Sequence, residues 1–434
     1  MYDLTVVGAG WAGFNAAARA RDLGLKVALV EKASIGGTCL NRGCIPTKTL
    51  IQSAKIYSLV RKSKDFGIEL ASPDLNFLKI QERKNKIILQ LRSGMQFMLK
   101  GIDYFNSEAE ILTNEELKVA NQIIKTKFII IATGSKPAQL SKLKFDGKII
   151  ISSDQILDIT EVPHSLMIIG AGVIGCEFAS LFSALGCQVS IAEKMPQLLP
   201  GIDKELSKKI ESVFKKKGIR VSTGIDAESL NLSNYDLTLL SIGRVPSVEG
   251  LNLDRVGVKL EKERILVDEY LKTNIPNIYA AGDCTAKIML AHYAAYQGRI
   301  AAGNIANIAT PVRANDANIP NCIFTDPEIA TIGLSEEDAK LKCSDIKINK
   351  FFFLASGMAH IIDETDGFIK ILSDKKTDEI IGAHIIGPKA TELIGILTVA
   401  IQSRLKLAQI SETILAHPTL SETITDSLRE NHGI

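Results

Sequence analysis

The chain has 434 residues, 46% hydrophobic and 23% charged, which is enough for two or three domains with proper cores. A formal net charge of +2 gives no electrostatic case for nucleic acid or for a strongly acidic partner. The apolar run Leu393–Ile401 is too short to cross a bilayer, and no charged leader precedes the first strand-like run at Leu4–Val7. A soluble, cytoplasmic protein without a membrane partner is expected.

The first stretch reads strand, turn, helix, strand: Leu4–Val7, GAGWAG, an Ala-rich helix to about Leu23, then Lys26–Val30. Gly8, Gly10 and Gly13 form G-x-G-x-x-G, allowing a tight turn, backbone approach to a pyrophosphate, and close helix–strand packing. The helix N-terminus presents free N–H groups and a positive dipole end to the phosphates. Glu31 follows Gly8 by 23 residues, where a carboxylate can accept from ribose hydroxyls. The pattern returns at Leu166–Glu193, with Gly170, Gly172, Gly175 and, again 23 residues on, Glu193. Two such units imply two dinucleotides, as when a flavin and a nicotinamide exchange a hydride. At the second unit a carboxylate favours the free 2′-hydroxyl of NAD over the 2′-phosphate of NADP.

Between the units, Phe128–Ile131 runs into ATGSKP (Ala132–Pro137), and a matching exit appears at Leu239–Pro246. The short strand in Asn277–Asp283 suggests that the chain then returns to its first domain. Asp283 either accepts from a flavin's ribityl hydroxyl or caps a helix beginning near Ala286. The Lys215–Lys217 cluster beside Gly218 reads as the solvated end of a helix.

From about Ala317 the pattern changes to α+β. Strands are expected at Glu328–Gly333, Lys347–Leu354, Gly367–Leu372 and Ile380–Ile386, with Asp366–Gly367 as hairpin punctuation. Helices are expected at Ser335–Leu341 and Glu392–Leu405. The second is apolar on much of its surface, consistent with an oligomer interface or a domain contact.

Two features carry chemistry. Cys39 and Cys44 lie five positions apart in GGTCLNRGCIPTK (Gly36–Lys48). Five residues of regular helix rise roughly 7.5 Å and turn off the shared face, but Gly43 and Pro46 interrupt regular helix and allow the pair to close as a redox disulfide. A metal is the weaker reading, because no His or second Cys pair lies near enough to complete a tetrahedral set. The other five cysteines read as small buried hydrophobes. The second feature is HPTLSE, His417–Glu422, where a carboxylate can hold one imidazole nitrogen and make the ring a general acid–base for a thiol. A polar surface turn with an incidental His is the alternative.

Together these pieces resemble the class I pyridine nucleotide–disulfide oxidoreductases over nearly the whole chain. GGTCLNRGCIPTK is similar to the family's disulfide signature, GAGVIGCE to its second nucleotide motif, AAGD to its flavin-site aspartate and AHPTLSE to its terminal acid–base. The resemblance implies an α/β fold with FAD-binding (1–144 and 268–316) and NAD-binding (145–267) Rossmann-like domains and a dimerisation domain (317–434). It makes Cys44 the flavin-facing sulfur and Cys39 the interchange sulfur that meets substrate. Lys48 would pair with Glu177 near the flavin, and His417, held by Glu422, would reach the partner subunit's disulfide in a homodimer.

It also implies cofactor contacts from Lys32, Gly37, Thr38, Thr133, Gly134 and Gly282, from Met289, Leu290 and Ala291, and from Val173, Ile174, Gly243 and Arg244. Within the family the pattern is most similar to the dihydrolipoamide dehydrogenases. Glu193 argues against the NADPH-using reductases, and no cysteine follows Cys343 to supply a C-terminal pair. After LAH the chain reads YAAYQG (Tyr293–Gly298), where those dehydrogenases carry an acidic stretch. Substrate would then be a small dithiol or disulfide, or a lipoyl-carrier protein of a multienzyme complex. A reductase of another low-molecular-weight disulfide or of a metal ion is one alternative, and a flavoprotein acting chiefly as a component of a 2-oxo acid dehydrogenase or glycine cleavage assembly is another.

Overall fold

The computed structural model describes residues 1–71, 73–307 and 309–429. The chain opens with β1 (Tyr2–Val7), α1 (Trp11–Asp22) and β2 (Val27–Glu31), followed by α2 (Gly37–Arg42), α3 (Cys44–Arg61) and α4 (Phe77–Met98). Then come β3 (Asp103–Asn106), β4 (Ala109–Ile111), β5 (Glu116–Val119) and β6 (Gln122–Ile131). The first sheet runs β3-β2-β1-β6-β5-β4. It is parallel from β3 to β6. Its inner strands are apolar on both faces because one face packs on α1 and residues 294–305 and the other on the β4–β5 meander and residues 251–265. Sequence reading found only the last four residues of β6. Its first half, Gln122–Lys125, instead turns back on β5 in an antiparallel meander.

The glycines of the first motif are set by sterics. Gly8 has φ +102°, and a Cβ on Gly13 would lie 1.8 Å from the Gly8 carbonyl oxygen. Gly13→Ala must therefore push α1 off β1. The expected cost is about 3 kcal/mol, the upper end for overpacking, read as a lowered Tm and reduced bound flavin.

β7 (Ser135–Pro137) and β8 (Ile150–Ser152) lead into β9 (Ser165–Ile169), α5 (Val173–Ala184), β10 (Gln188–Glu193), α6 (Lys204–Lys216), β11 (Arg220–Thr223), β12 (Leu237–Leu240) and β13 (Arg244–Pro246). The second sheet, β11-β10-β9-β12-β8, is parallel throughout. The two exits noted in the sequence pair with each other, β7 antiparallel to β13. After α7 (Leu253–Val256) and the ribbon β14 (Leu260–Glu261)–β15 (Arg264–Ile265), strand β16 (Ile278–Ala280) adds to the first sheet beside β6. The helix expected near Ala286 begins later, as α8 (Ala291–Ala306), because Ala286 itself takes φ +51°. α8 lies against α1 so closely that a Cβ on Gly298 would sit 2.1 Å from the Ala12 carbonyl oxygen.

The last part contains β17 (Asn321–Ile323), β18 (Glu328–Gly333), α9 (Glu336–Lys342), β19 (Ile346–Phe352), α10 (Gly357–Ile361), β20 (Phe368–Asp374), β21 (Ile380–Gly387), α11 (Ala390–Gln402), α12 (Leu407–Ser411) and α13 (Glu422–Arg429). Its antiparallel sheet runs β17-β18-β21-β20-β19 and buries one face against α11. Asp366–Gly367 is not a hairpin turn. It precedes β20 at the end of an excursion through α10, and Gly367 is required because a Cβ there would lie 1.8 Å from the Ile386 carbonyl oxygen. On α11 the outward Val399 is 64% exposed. Among the described residues no helix is long and apolar enough to cross a membrane.

Candidate active site

Gly43 breaks the cysteine segment. Its φ of −148° and ψ of −111° end α2 and start α3 with Cys44 as first residue. Both cysteines are free thiols here. The Cys39 thiol donates toward Cys44, which pulls the Cys44 thiol down to about 7; the Lys48 charge adds to this and burial opposes it. The same bond, burial and the Cys44 charge push the Cys39 thiol far up. Cys44 is thus the first of the two to become a thiolate. In the reduced protein, ultraviolet thiolate absorbance should rise with a midpoint of about pH 7. It should not rise there in Cys44→Ser.

One helical turn beyond Cys44, Lys48 Nζ donates to both Glu177 oxygens at 2.8 and 2.7 Å. Glu177, on α5, also accepts from the Phe324 backbone N–H at 2.9 Å, and the Lys48 ammonium lies 4.8 Å from the Phe324 ring centroid. The pair therefore joins the disulfide helix, the second nucleotide unit and the start of the last domain. Because Glu177 is almost fully buried, losing one partner would strand a charge.

These groups line a cavity of about 1480 Å³. Gly10, Thr38 and Gly134 line one part of it, with Gly282, Asp283, Met289, Leu290 and Ala291; Gly170, Gly172, Val173, Ile174, Glu193, Gly243 and Arg244 line another. Cys39, Cys44, Lys48 and Glu177 lie on the same wall system. Asp283 caps no helix; its carboxylate accepts from Ser135 Oγ at 2.6 Å. Burial holds it above the usual carboxylate range, opposed by Ser135 and Arg244. Arg244 in turn donates to Ser135 Oγ and to its carbonyl, both at 2.8 Å.

The glycine cradles fit two dinucleotides. α1 and α5 start at Gly10 and Gly172 without any side-chain cap, leaving N–H groups for phosphate oxygens. A Cβ on Gly172 would meet nothing within 4 Å, and one on Gly10 would approach only the Gly37 Cα, at 3.9 Å. Packing alone therefore does not demand glycine at either position; a side chain there would fill the space a pyrophosphate needs. The acidic residues match as well. Glu31 holds the Ala9 and Ala33 amides at 2.7 and 2.8 Å, and Glu193 holds those of Ala171 and Met195 at 2.6 and 2.7 Å. Gly8, Gly13 and Gly175 serve the turns and the helix–strand contact. Lys32 points to Glu108, 4.0 Å away. Thr133 buries a hydroxyl with no protein partner.

His417 Nδ1 lies 2.9 Å from Glu422 Oε1, and the Thr419 N–H holds the other carboxylate oxygen at 2.9 Å. The Thr419 bond, then His417, keeps the Glu422 carboxyl below its usual range. Yet the imidazole is 82% exposed and does not line the cavity. Within one chain, the cysteines and the histidine are not brought together. Cys176, Cys187 and Cys284 are buried as expected, whereas Cys322 and Cys343 are only half-buried and Cys322 faces the cavity. Ser135 and Trp11, which also line the cavity, were missed in the sequence, since no spacing marks them. Among the described residues no cluster of His, Cys, Asp and Glu could hold a metal ion.

Residues 2–298 match the family model described as pyridine nucleotide-disulphide oxidoreductase, and residues 319–428 match the dimerisation domain of the same family. The chain belongs to the pyridine nucleotide-disulphide oxidoreductases. Its curated relatives include a dihydrolipoyl dehydrogenase of Bacillus subtilis strain 168, 38% identical over 98% of this chain and 97% of the relative. A dihydrolipoyl dehydrogenase of Chlamydia muridarum is also 38% identical, covering 98% of this chain and 96% of that one. Among solved structures, the HOCl-induced flavoprotein disulfide reductase RclA from Escherichia coli superposes with a TM-score of 0.88 at 28% identity, covering 98% and 99% of the two chains. The chain is thus a flavoprotein disulfide oxidoreductase with FAD and NAD as cofactors, and the last sheet with α11 belongs to its dimerisation domain.

Proposed function

We propose that the protein oxidises dihydrolipoamide to lipoamide with NAD, through a Cys39–Cys44 disulfide, as a cytoplasmic homodimer. The observation that carries this reading is the single cavity joining the cysteine pair, the Lys48–Glu177 ion pair and both glycine cradles. Residues 1–144 and 268–316 would hold FAD, 145–267 NAD, and 317–434 the partner subunit.

In this reading a substrate thiol loses its proton to His417 of the partner subunit, whose Nδ1 Glu422 holds so that Nε2 faces the thiol. The thiolate attacks Cys39 Sγ, the Cys39–Cys44 bond breaks, and Cys44 departs as a thiolate. The second substrate thiol closes the substrate disulfide and expels Cys39, which takes up a proton. Lys48 and the hydrogen bond from Cys39 keep Cys44 anionic. FAD, when bound, supplies the two-electron relay from the dithiol to the nicotinamide. Gly10, Thr38, Gly134 and Asp283 would hold it, and Gly172, Val173, Ile174 and Glu193 would hold NAD.

Single-chain exposure of His417 supports a shared site, since an acid–base aimed at solvent has nothing to work on until a second copy covers it. Likewise Ile414, three residues before it, is 97% exposed. Use of a free dithiol or of a lipoyl group carried by a multienzyme complex would share this chemistry.

Steady-state reduction of NAD and of NADP by dihydrolipoamide, run beside NADH oxidation by other disulfides and metal ions, tests the reading. NAD-selective turnover of dihydrolipoamide is expected; an inert dihydrolipoamide with rapid turnover of another acceptor would overturn the substrate. In the same assay Glu193→Ala should raise KM for NAD and shrink discrimination against NADP by about tenfold, the worth of a hydrogen bond to a charged group.

A further inference from the structure

Trp11 is the only tryptophan of the chain. It is the first residue of α1, and its carbonyl is held by Asn15 Nδ2 at 2.8 Å. Its indole N–H is buried and unpartnered in this structure. Trp11 and Cys39 both face the cavity, and the indole favours the charged form of the Cys39 sulfur.

That placement is built into the backbone. The Gly36 N–H donates to the Ala9 carbonyl at 2.8 Å, so the entry to α2 is stapled to the loop before α1. Beside the staple, Gly10 and Gly37 approach so closely that a Cβ on Gly37 would lie 2.7 Å from the Gly10 Cα. Trp11 follows one of these glycines directly and Cys39 stands two residues after the other. Two helix starts locked together thus hold Trp11 and Cys39 on adjoining backbone.

We propose that Trp11 is a positioning residue for Cys39, its indole N–H serving as hydrogen-bond donor to the Cys39 sulfur whenever that sulfur carries negative charge. This rests on the reading of Cys39 as the sulfur that exchanges with substrate. When the second substrate thiolate attacks the mixed disulfide, the bond between substrate sulfur and Cys39 breaks. The electron pair stays on Cys39, and the proton follows afterwards. A donor aimed at Cys39 stabilises that departing thiolate, and in the reduced pair it shifts the shared thiol proton from Cys39 toward Cys44. The other charged groups facing the pair are Lys48 and Glu177.

The test is the pH profile of Cys39 alkylation by iodoacetamide in NADH-reduced holoenzyme, parent against Trp11→Phe, with each site quantified by peptide mass spectrometry. Trp11→Phe is expected to slow alkylation of Cys39 at neutral pH about tenfold and to move its midpoint up by about one pH unit, as for a lost hydrogen bond to a charged acceptor. Identical profiles in the two proteins would overturn the proposal. Cys44, the readier thiolate, is counted separately; a parent in which Cys39 is alkylated at no pH would overturn the reading of Cys39 as the exchanging sulfur, and the proposal with it. The parent alone gives a second measurement that does not depend on the variant folding. Emission from the single tryptophan of the reduced protein should titrate with the Cys39 alkylation midpoint, and emission that does not change there contradicts the contact.

Discussion

Cys44→Ser should abolish NAD reduction by dihydrolipoamide, with a loss on the order of 10⁴-fold or more, as when a covalent nucleophile is removed. The side chain that leaves as a thiolate when Cys39 is attacked is gone, and serine cannot form the disulfide. The glycine cradles and the Lys48–Glu177 pair do not depend on that sulfur. NADH oxidation by an artificial electron acceptor should therefore persist. Stopped and steady-state rates on flavin-loaded protein separate the two halves of the reaction. A Cys44→Ser protein with full dihydrolipoamide turnover would sink the assignment.

The second large effect concerns His417. Its Nδ1 is committed to Glu422, so the only role left for the ring is proton transfer through Nε2. His417→Gln keeps size and polarity but loses that capacity, and turnover of the dithiol should fall about 10²- to 10⁴-fold, the usual contribution of a positioned acid–base. Because the ring stands outside its own cavity, the defect should be complementable. Mixing Cys44→Ser and His417→Gln subunits makes heterodimers in which one of two sites draws intact cysteines from one chain and an intact histidine from the other. After random exchange, about a quarter of parental activity should return, as a two-fold symmetric shared site requires. Mixed subunits that stay inactive after demonstrated exchange would place the histidine elsewhere.

Much of this molecule could be read from its sequence because its key positions obey short-range rules. Glycine spacing and a carboxylate 23 residues on give both nucleotide units, and in each the carboxylate holds the backbone of the glycine turn. Strand β18 was read to the residue, since one face is buried and its ends carry turn signals. Long-range pairing was less legible. The meander of β5 on β6, the pairing of β7 with β13 and the addition of β17 depend on partners far along the chain. The site divides in the same way. The Cys39–Cys44 spacing and the His417–Glu422 spacing are local and visible in the letters. The Ser135–Asp283–Arg244 network and the placing of Trp11 on the cysteine cavity arise only when separate segments fold together. Asp366–Gly367 was misread because a sequence that suits a hairpin turn equally suits a glycine pressed against a neighbouring strand.

The most direct test of the account is a thiol count on the oxidised, flavin-loaded protein before and after one equivalent of dihydrolipoamide, in the absence of oxygen. The account predicts two new alkylatable thiols, mapped by mass spectrometry to Cys39 and Cys44, and their loss again when NAD is added. New thiols at other cysteines, or a Cys39–Cys44 pair that ignores both dihydrolipoamide and NAD, would contradict it.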